Sequence, residues 1–158
     1  MSIQTPNSAY NKKGFTILLA ALVASLVLTL GISVFSIAQK QVVLSSLGQS
    51  SQYAFYAADT AAECALYWEV RYDYFSSSSP TGITPACSGA PLVIAGAPGA
   101  LPYTMSFEFE PNGYCAQVTV TKSAVDPRTT IHADGFSTTC ADIAVSGRAL
   151  QRSVELNF

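Results

Sequence analysis

The stretch that decides the fold is KKGFTILLAALVASLVLTLGISVFSIAQK, residues 12–40. After Lys12, Lys13 and Gly14 come 24 residues, 15–38, without one charged side chain. At ~1.5 Å of rise per residue, a helix of that length covers ~36 Å, enough to cross a hydrocarbon core of ~30 Å. The run is also longer than the roughly 7–15 apolar residues of an ordinary secretory signal. Lys12 and Lys13 precede it, and Lys40 is the next basic residue until Arg71. That excess favours a cytoplasmic N-terminus and an extracytoplasmic remainder, and therefore a single-pass membrane span.

Downstream of the run, residues 39–75 contain no proline, and YAFYAADTAAECALYWEVRYDYF is rich in Ala, Leu and Glu. Ala54, Ala58, Ala61, Ala65 and Trp68 follow 4-3-4-3 spacing and share one helix face. Asp59, Glu63 and Arg71 fall on the other face. The reading is one long helix, its first half (15–38) apolar and its second half (39–75) amphipathic. Gly48 and the serines of SSLGQSS, residues 45–51, lower helix propensity and would permit a bend or local melting. SSSSP, residues 76–80, is expected to stop the helix. Residues 74–107 then hold no Asp, Glu, Lys or Arg. Within them, residues 76–103 read as a long loop with one short apolar piece, LVIA, and loops of that length are often functional.

The C-terminal third, residues 104–158, alternates with the period of strands. Met105, Phe107 and Phe109 point one way, and Ser106, Glu108 and Glu110 the other. PNG makes a turn, after which Tyr114, Ala116, Val118 and Val120 face inward. VDPRT makes the next turn, followed by inward Ile131 and Ala133. The last run places Leu150, Val154, Leu156 and Phe158 on one face. Four half-buried antiparallel strands make a sheet with one apolar face, and the amphipathic half of the helix is its only candidate cover. The fold class expected is α+β, a long N-terminal helix packed on a four-stranded antiparallel sheet.

Several function classes lose support at this stage. His132 is the only histidine, which removes a multi-histidine metal site, and its strand parity makes it a solvated surface residue. Asp126, Asp134 and Asp142 match no EF-hand spacing and read as solvated carboxylates rather than calcium ligands. No acid–base pair with a supporting residue and no glycine-rich phosphate loop stands out, so neither an enzyme nor a cofactor is expected. Net charge is −2 and the basic residues are scattered singly, so no nucleic-acid partner is expected. Ser25, Thr29, Ser33 and Ser36 recur on one face of the apolar helix. They fit close helix–helix packing in lipid or hydrogen bonds to their own helix's carbonyls.

Cys64, Cys87, Cys115 and Cys140 all follow the span, without a CxxC pair, and an even count outside the cytoplasm reads as two disulfides. Three pairings are open. The most economical joins Cys64 to Cys87, pinning loop to helix, and Cys115 to Cys140, tying the sheet.

The run Lys12-Lys13-Gly14-Phe15-Thr16-Ile17-Leu18 resembles the prepilin signal of type IV pilins and pseudopilins: basic residue, Gly, Phe, Thr, then apolar residues. The order of leader, long helix, loop, antiparallel sheet and cysteine-tied C-terminal region resembles the type IV pilin-like architecture throughout. YAFYAADTAAECALYW is similar to minor pilins concerned with pilus assembly. The resemblance implies a leader over residues 1–14, cleavage after Gly14 by a prepilin peptidase and N-methylation at Phe15. It also implies a subunit that waits in the cytoplasmic membrane before joining other pilin subunits on an assembly platform, becoming extracellular in the filament. Removing the leader takes Lys12 and Lys13 and no acid, which changes the net charge from −2 to −4. Most pilins carry Glu at the fifth mature position, where this chain has Leu19. A carboxylate there is thought to pair with a neighbour's N-terminal ammonium, so its absence favours a minor, tip or initiating subunit. The alternative is a membrane-anchored adhesin-like module whose charge-free loop contacts a partner.

Overall fold

The computed structural model describes residues 13–76 and 82–158. Lys12 and most of the expected leader therefore lie outside the described residues. So does most of the Ser-Ser-Ser-Ser-Pro run expected to stop the helix. The chain divides into two compact units, Met1–Ser45 and Ser46–Phe158.

Helix α1 runs Lys13–Tyr72, 60 residues. No proline falls between Pro6 and Pro80, so nothing in its sequence removes a backbone donor. The helix continues unbroken through residues 45–51, and the expected weak point at Gly48 remains helical. It stops three residues short of the expected end, because Asp73 takes a left-handed conformation with φ 49°. Asp is among the few residues other than Gly that enter this region readily. The Asp73 amide donates to the Glu69 carbonyl at 2.8 Å and the Tyr74 amide to the Trp68 carbonyl at 3.2 Å. The reversal brings Phe75 into the core, where its ring stacks on Phe107 at 6.0 Å.

In the unit Ser46–Phe158, four strands form an antiparallel meander: β3 (Tyr103–Phe109), β4 (Ala116–Lys122), β5 (Thr129–Phe136) and β6 (Gln151–Asn157). They follow two short strands, β1 (Ala86–Cys87) and β2 (Ala90–Pro91), which pair as a hairpin. The expected α+β fold, an N-terminal helix on a four-stranded antiparallel sheet, is the fold observed.

Register converts the alternating sequence into rows on the inner face. Met105, Val120, Ile131 and Leu156 form one row; Phe107, Val118, Ala133 and Val154 the next; Phe109, Ala116, Gly135 and Arg152 a third. Against them α1 buries Ala54, Ala58, Ala61, Ala65 and Trp68, the face its spacing marks out. The third row tapers from Phe to Ala to Gly, and helix and sheet come closest at the glycine. A Cβ on Gly135 would stand 2.0 Å from the Ala54 carbonyl oxygen and 2.4 Å from the Ala58 nitrogen, inside the helix backbone. On β6 the apolar face is thinner than expected. Val154 and Leu156 are half-buried, Phe158 is 48 % exposed, and Arg152 interrupts the face to donate from Nε to Ser51 Oγ at 2.8 Å. At the end of its own sheet, β6 has a neighbour on one side only.

From residue 82 onward the charge-free loop carries more structure than its composition implies. The Cys64–Cys87 disulfide ties β1 to α1, and Trp68 Nε1 donates to the Ala86 carbonyl at 3.1 Å. Ala95 and Ser106 then exchange both backbone hydrogen bonds, which lays the end of LVIA along the edge of β3. The second disulfide, Cys115–Cys140, joins the start of β4 to the turn after β5. The cysteines thus adopt the most economical of the three pairings.

A buried polar pair completes the core. Lys122 Nζ contacts Glu69 Oε1 and donates to Thr129 Oγ1 at 3.0 Å, while Glu69 Oε2 has no hydrogen-bond partner among the described residues. The signals were in the sequence: Lys122 shares the inward parity of Val118 and Val120, and Glu69 lies one turn beyond Ala65. Beside them Tyr103 Oη donates to the Phe75 carbonyl at 2.8 Å. Burial, then the charges of Glu69 and Asp73, raise the Tyr103 phenol above its ordinary value.

Two stability measurements follow from this packing. Gly135→Ala should destabilise the chain by at least ~2 kcal/mol, because neither the helix nor the strand backbone can yield locally. Gly147→Ala, where a Cβ meets nothing within 4 Å, should stay within about 0.5 kcal/mol of wild type in the same denaturant titration. Lys122→Met strands a buried carboxylate and should cost on the order of 3 kcal/mol, whereas adding Glu69→Leu should recover most of that loss.

Candidate functional site

In the unit Met1–Ser45 the described chain is helix with its side chains in the open. Every residue from Gly14 to Gln49 is exposed, including the whole apolar run. Leu, Val, Ile and Phe at this density are ordinarily inside. In water such a surface would drive association, so the segment requires an apolar environment from outside the chain, in the form of lipid or other protein. Length and composition suffice for one membrane crossing.

The proposed junction lies at the start of this surface. Gly14 is in the first turn of α1, and a Cβ built on it meets nothing within 4 Å. Phe15 is 72 % exposed. Lys12 lies outside the described residues, and Lys13 opens the helix. Leu19 is an exposed apolar residue on the same helix. Three of the four hydroxyl residues donate to their own helix: Ser25 to the Leu22 carbonyl at 2.8 Å, Thr29 to Leu26 at 2.9 Å and Ser33 to Thr29 at 2.9 Å. Those bonds satisfy the hydroxyls without a partner helix and leave the small side chains compatible with close packing. Ser36 is exposed one turn further on.

Asp126, Asp134 and Asp142 do not gather into one cluster among the described residues, whereas His132 and Asp134 are in contact. Asp126 pairs with Arg128 at 3.6 Å on an exposed turn, and Asp142 Oδ2 accepts from Thr139 Oγ1 at 2.7 Å. Asp134 belongs to a polar ladder on the outer face of β5 and β6. His132 lies between two carboxylates there, with Nε2 3.3 Å from Asp134 Oδ1 and Nδ1 3.3 Å from Glu155 Oε2. Asp134 Oδ1 also accepts from Gln151 Nε2 at 2.8 Å and from Ser153 Oγ. Among the described residues, one group of possible metal ligands gathers: Glu108, Cys115 and Cys140. Both of its sulfurs are in a disulfide, so it offers one carboxylate and no thiolate.

The ladder shifts its own acids. Burial by itself would raise the Asp134 carboxyl, but hydrogen bonds from Ser153 and Gln151, followed by contact with His132, outweigh it and hold the group below its ordinary value. Glu155 is lowered too, first by Asn157 and then by His132. Cross-strand pairs of this kind stabilise an edge strand that buries little.

The chain matches no family model, no curated protein and no solved structure.

The ladder makes a pH prediction with a definite sign. A carboxyl whose value is lowered on folding holds its proton less well in the folded chain than in the unfolded one. Its stabilisation is therefore complete above the unfolded value, about 3.9 for Asp, and is lost as pH falls through the lower folded value. The thermal midpoint should decline on acidification below about pH 4. Asp134→Asn should lower the midpoint at neutral pH and flatten that acid decline, as read from melts across the range.

Proposed function

We propose that this chain is a non-enzymatic structural subunit, a minor pilin or pseudopilin, processed by a prepilin peptidase and assembled into a type IV pilus-like filament. The observation that carries this reading is the Gly14-Phe15 bond. It follows two lysines directly and opens an exposed apolar helix long enough to span a bilayer. A glycine before the bond presents no side chain to an enzyme cutting there, and the lysines hold the leader on the cytoplasmic face, where that enzyme acts.

On this reading cleavage after Gly14 leaves Phe15 as the new, N-methylated terminus. The apolar helix holds the subunit in the cytoplasmic membrane with the disulfide-bonded head outside. Extraction by the assembly platform then exchanges lipid for the helices of neighbouring subunits, one apolar environment for another, with little change in hydrophobic free energy. Leu19 favours a minor place for the subunit. With no carboxylate at the fifth mature position, it has nothing to pair with a neighbour's terminal ammonium, and a tip or initiating position fits that lack.

The order of the charge-free loop supports a second, compatible reading as a binding module. The loop is held to α1 by Cys64–Cys87 and leaves Val93 86 % exposed.

The test is the mature N-terminus. Expressed with a prepilin peptidase, the chain should begin at N-methylated Phe15 by mass spectrometry, and Gly14→Val should leave the leader attached. In sheared filaments the subunit should be a small fraction of total pilin. A chain that retains Met1 in cells containing the active peptidase would overturn the proposal.

A further inference from the structure

Where the turn between β3 and β4 meets the flank of α1 there is a notch of about 230 Å³, lined by Tyr53, Tyr56, Thr60, Pro111, Asn112 and Tyr114. Tyr53 and Tyr114 stack with ring centroids 4.7 Å apart and planes 13° from parallel. Gln49 Nε2, one helical turn before Tyr53, donates to its phenol oxygen at 3.0 Å. The stack fixes one wall of the notch. Tyr56 is the other aromatic at the opening and is 63 % exposed, so the core does not require its ring. Asn112 and Gly113 both take left-handed backbone, with φ 55° and 81°, in the turn that brings the Asn112 amide to the rim. Asn and Gly are the residues that enter this region most readily.

We infer that this notch is a binding site for a single neutral saccharide ring. Three properties carry the inference. The notch is smaller than the roughly 300–1,000 Å³ of sites that take drug-sized ligands, so it fits one ring and not a chain of them. No Lys, Arg, His, Asp or Glu lines it, so a phosphate or carboxylate would lose its hydration there with no opposite charge to replace it. What does line it is aromatic rings together with phenol, hydroxyl and amide groups, each able to donate and accept. A pyranose is complementary to that set. Its face of C–H bonds, slightly positive, meets the negative face of a tyrosine ring, and its rim of hydroxyls meets Thr60, Asn112 and the phenols. A prolyl ring, the other uncharged ring that docks on aromatics, has no hydroxyls and would leave those groups unmatched. The inference is independent of cleavage at Gly14, and either can hold without the other.

The experiment is saturation-transfer NMR on the full chain in micelles of a zwitterionic detergent without a sugar headgroup. Glucose, galactose, N-acetylglucosamine and N-acetylgalactosamine are the probes, and triproline is the comparison. Transfer to the ring C–H protons of at least one sugar is expected. Tyr56→Ala should weaken that binding by on the order of 3- to 10-fold. Tyr56→Phe, which keeps the ring, should weaken it less, and Asn112→Gly, which keeps the turn and removes the amide, should also weaken it. Circular dichroism identifies any variant that fails to fold, and the remaining two then carry the comparison. The proposal is overturned by absence of transfer to all four sugars on folded wild type. It is equally overturned by sugar binding that the folded variants leave unchanged, or by triproline giving the stronger Tyr56-dependent signal.

Discussion

The head of this protein is organised around a contact between two backbones. At Gly135 strand β5 comes so close to α1 that a single methyl group would overlap the Ala54 carbonyl and the Ala58 amide. Such an approach demands small residues on both sides, and Ala54, Ala58, Ala61 and Ala65 supply them on the helix while Ala116, Ala133 and Gly135 supply them on the sheet. With the helix seated there, the larger residues fill the space that widens toward β3. Met105, Phe107, Phe109, Trp68 and Phe75 occupy that side. A core graded from small to large in this way has one well-packed arrangement, because shifting α1 along the sheet would set methyl groups against aromatic rings.

Around this contact the other restraints act at different places. The disulfides hold two segments outside the four-stranded sheet: the β1–β2 hairpin through Cys64–Cys87 and the turn after β5 through Cys115–Cys140. Closing loops of this size contributes about 3 kcal/mol each in the chain-entropy account. The Glu69–Lys122 pair adds little net stability, since two desolvated charges roughly offset their attraction. Its weight falls on specificity, because any other register of β4 against α1 would bury one of the charges unpaired. On the outer face, the ladder through His132, Asp134, Ser153 and Glu155 ties down β6, whose inner face is only half covered.

The apolar helix follows another logic. In the head, hydrophobic residues are inside because the chain provides a cover for them. In the unit Met1–Ser45 they are exposed along the whole described helix. The hydroxyls of Ser25, Thr29 and Ser33 are satisfied by carbonyls of their own helix, so the segment can sit in lipid with no exposed donor unpaired at those positions. The same surface, carrying small residues at close spacing, is also suited to packing with other helices.

Much of this was legible in the order of residues. The charge-free run from Phe15, the absence of proline up to Pro80, the alanine stripe and the period-two alternation after residue 104 determine a long helix and a four-stranded sheet. These are patterns of hydrophobicity and backbone chemistry that act locally. Other features were visible only as unexplained letters. Gly135 falls inside the strand run TTIHADGFS with no marked role there, and only the helix crossing above β5 turns it into a packing requirement. Strand parity and helix face mark Lys122 and Glu69 singly as inward, but their pairing across 53 positions appears only when the sheet meets the helix. The tethering of the loop hairpin to α1 through Cys64–Cys87 and the tyrosine notch have the same origin. Each depends on groups distant in sequence becoming neighbours, and that distance in space is set by how the helix seats on the sheet.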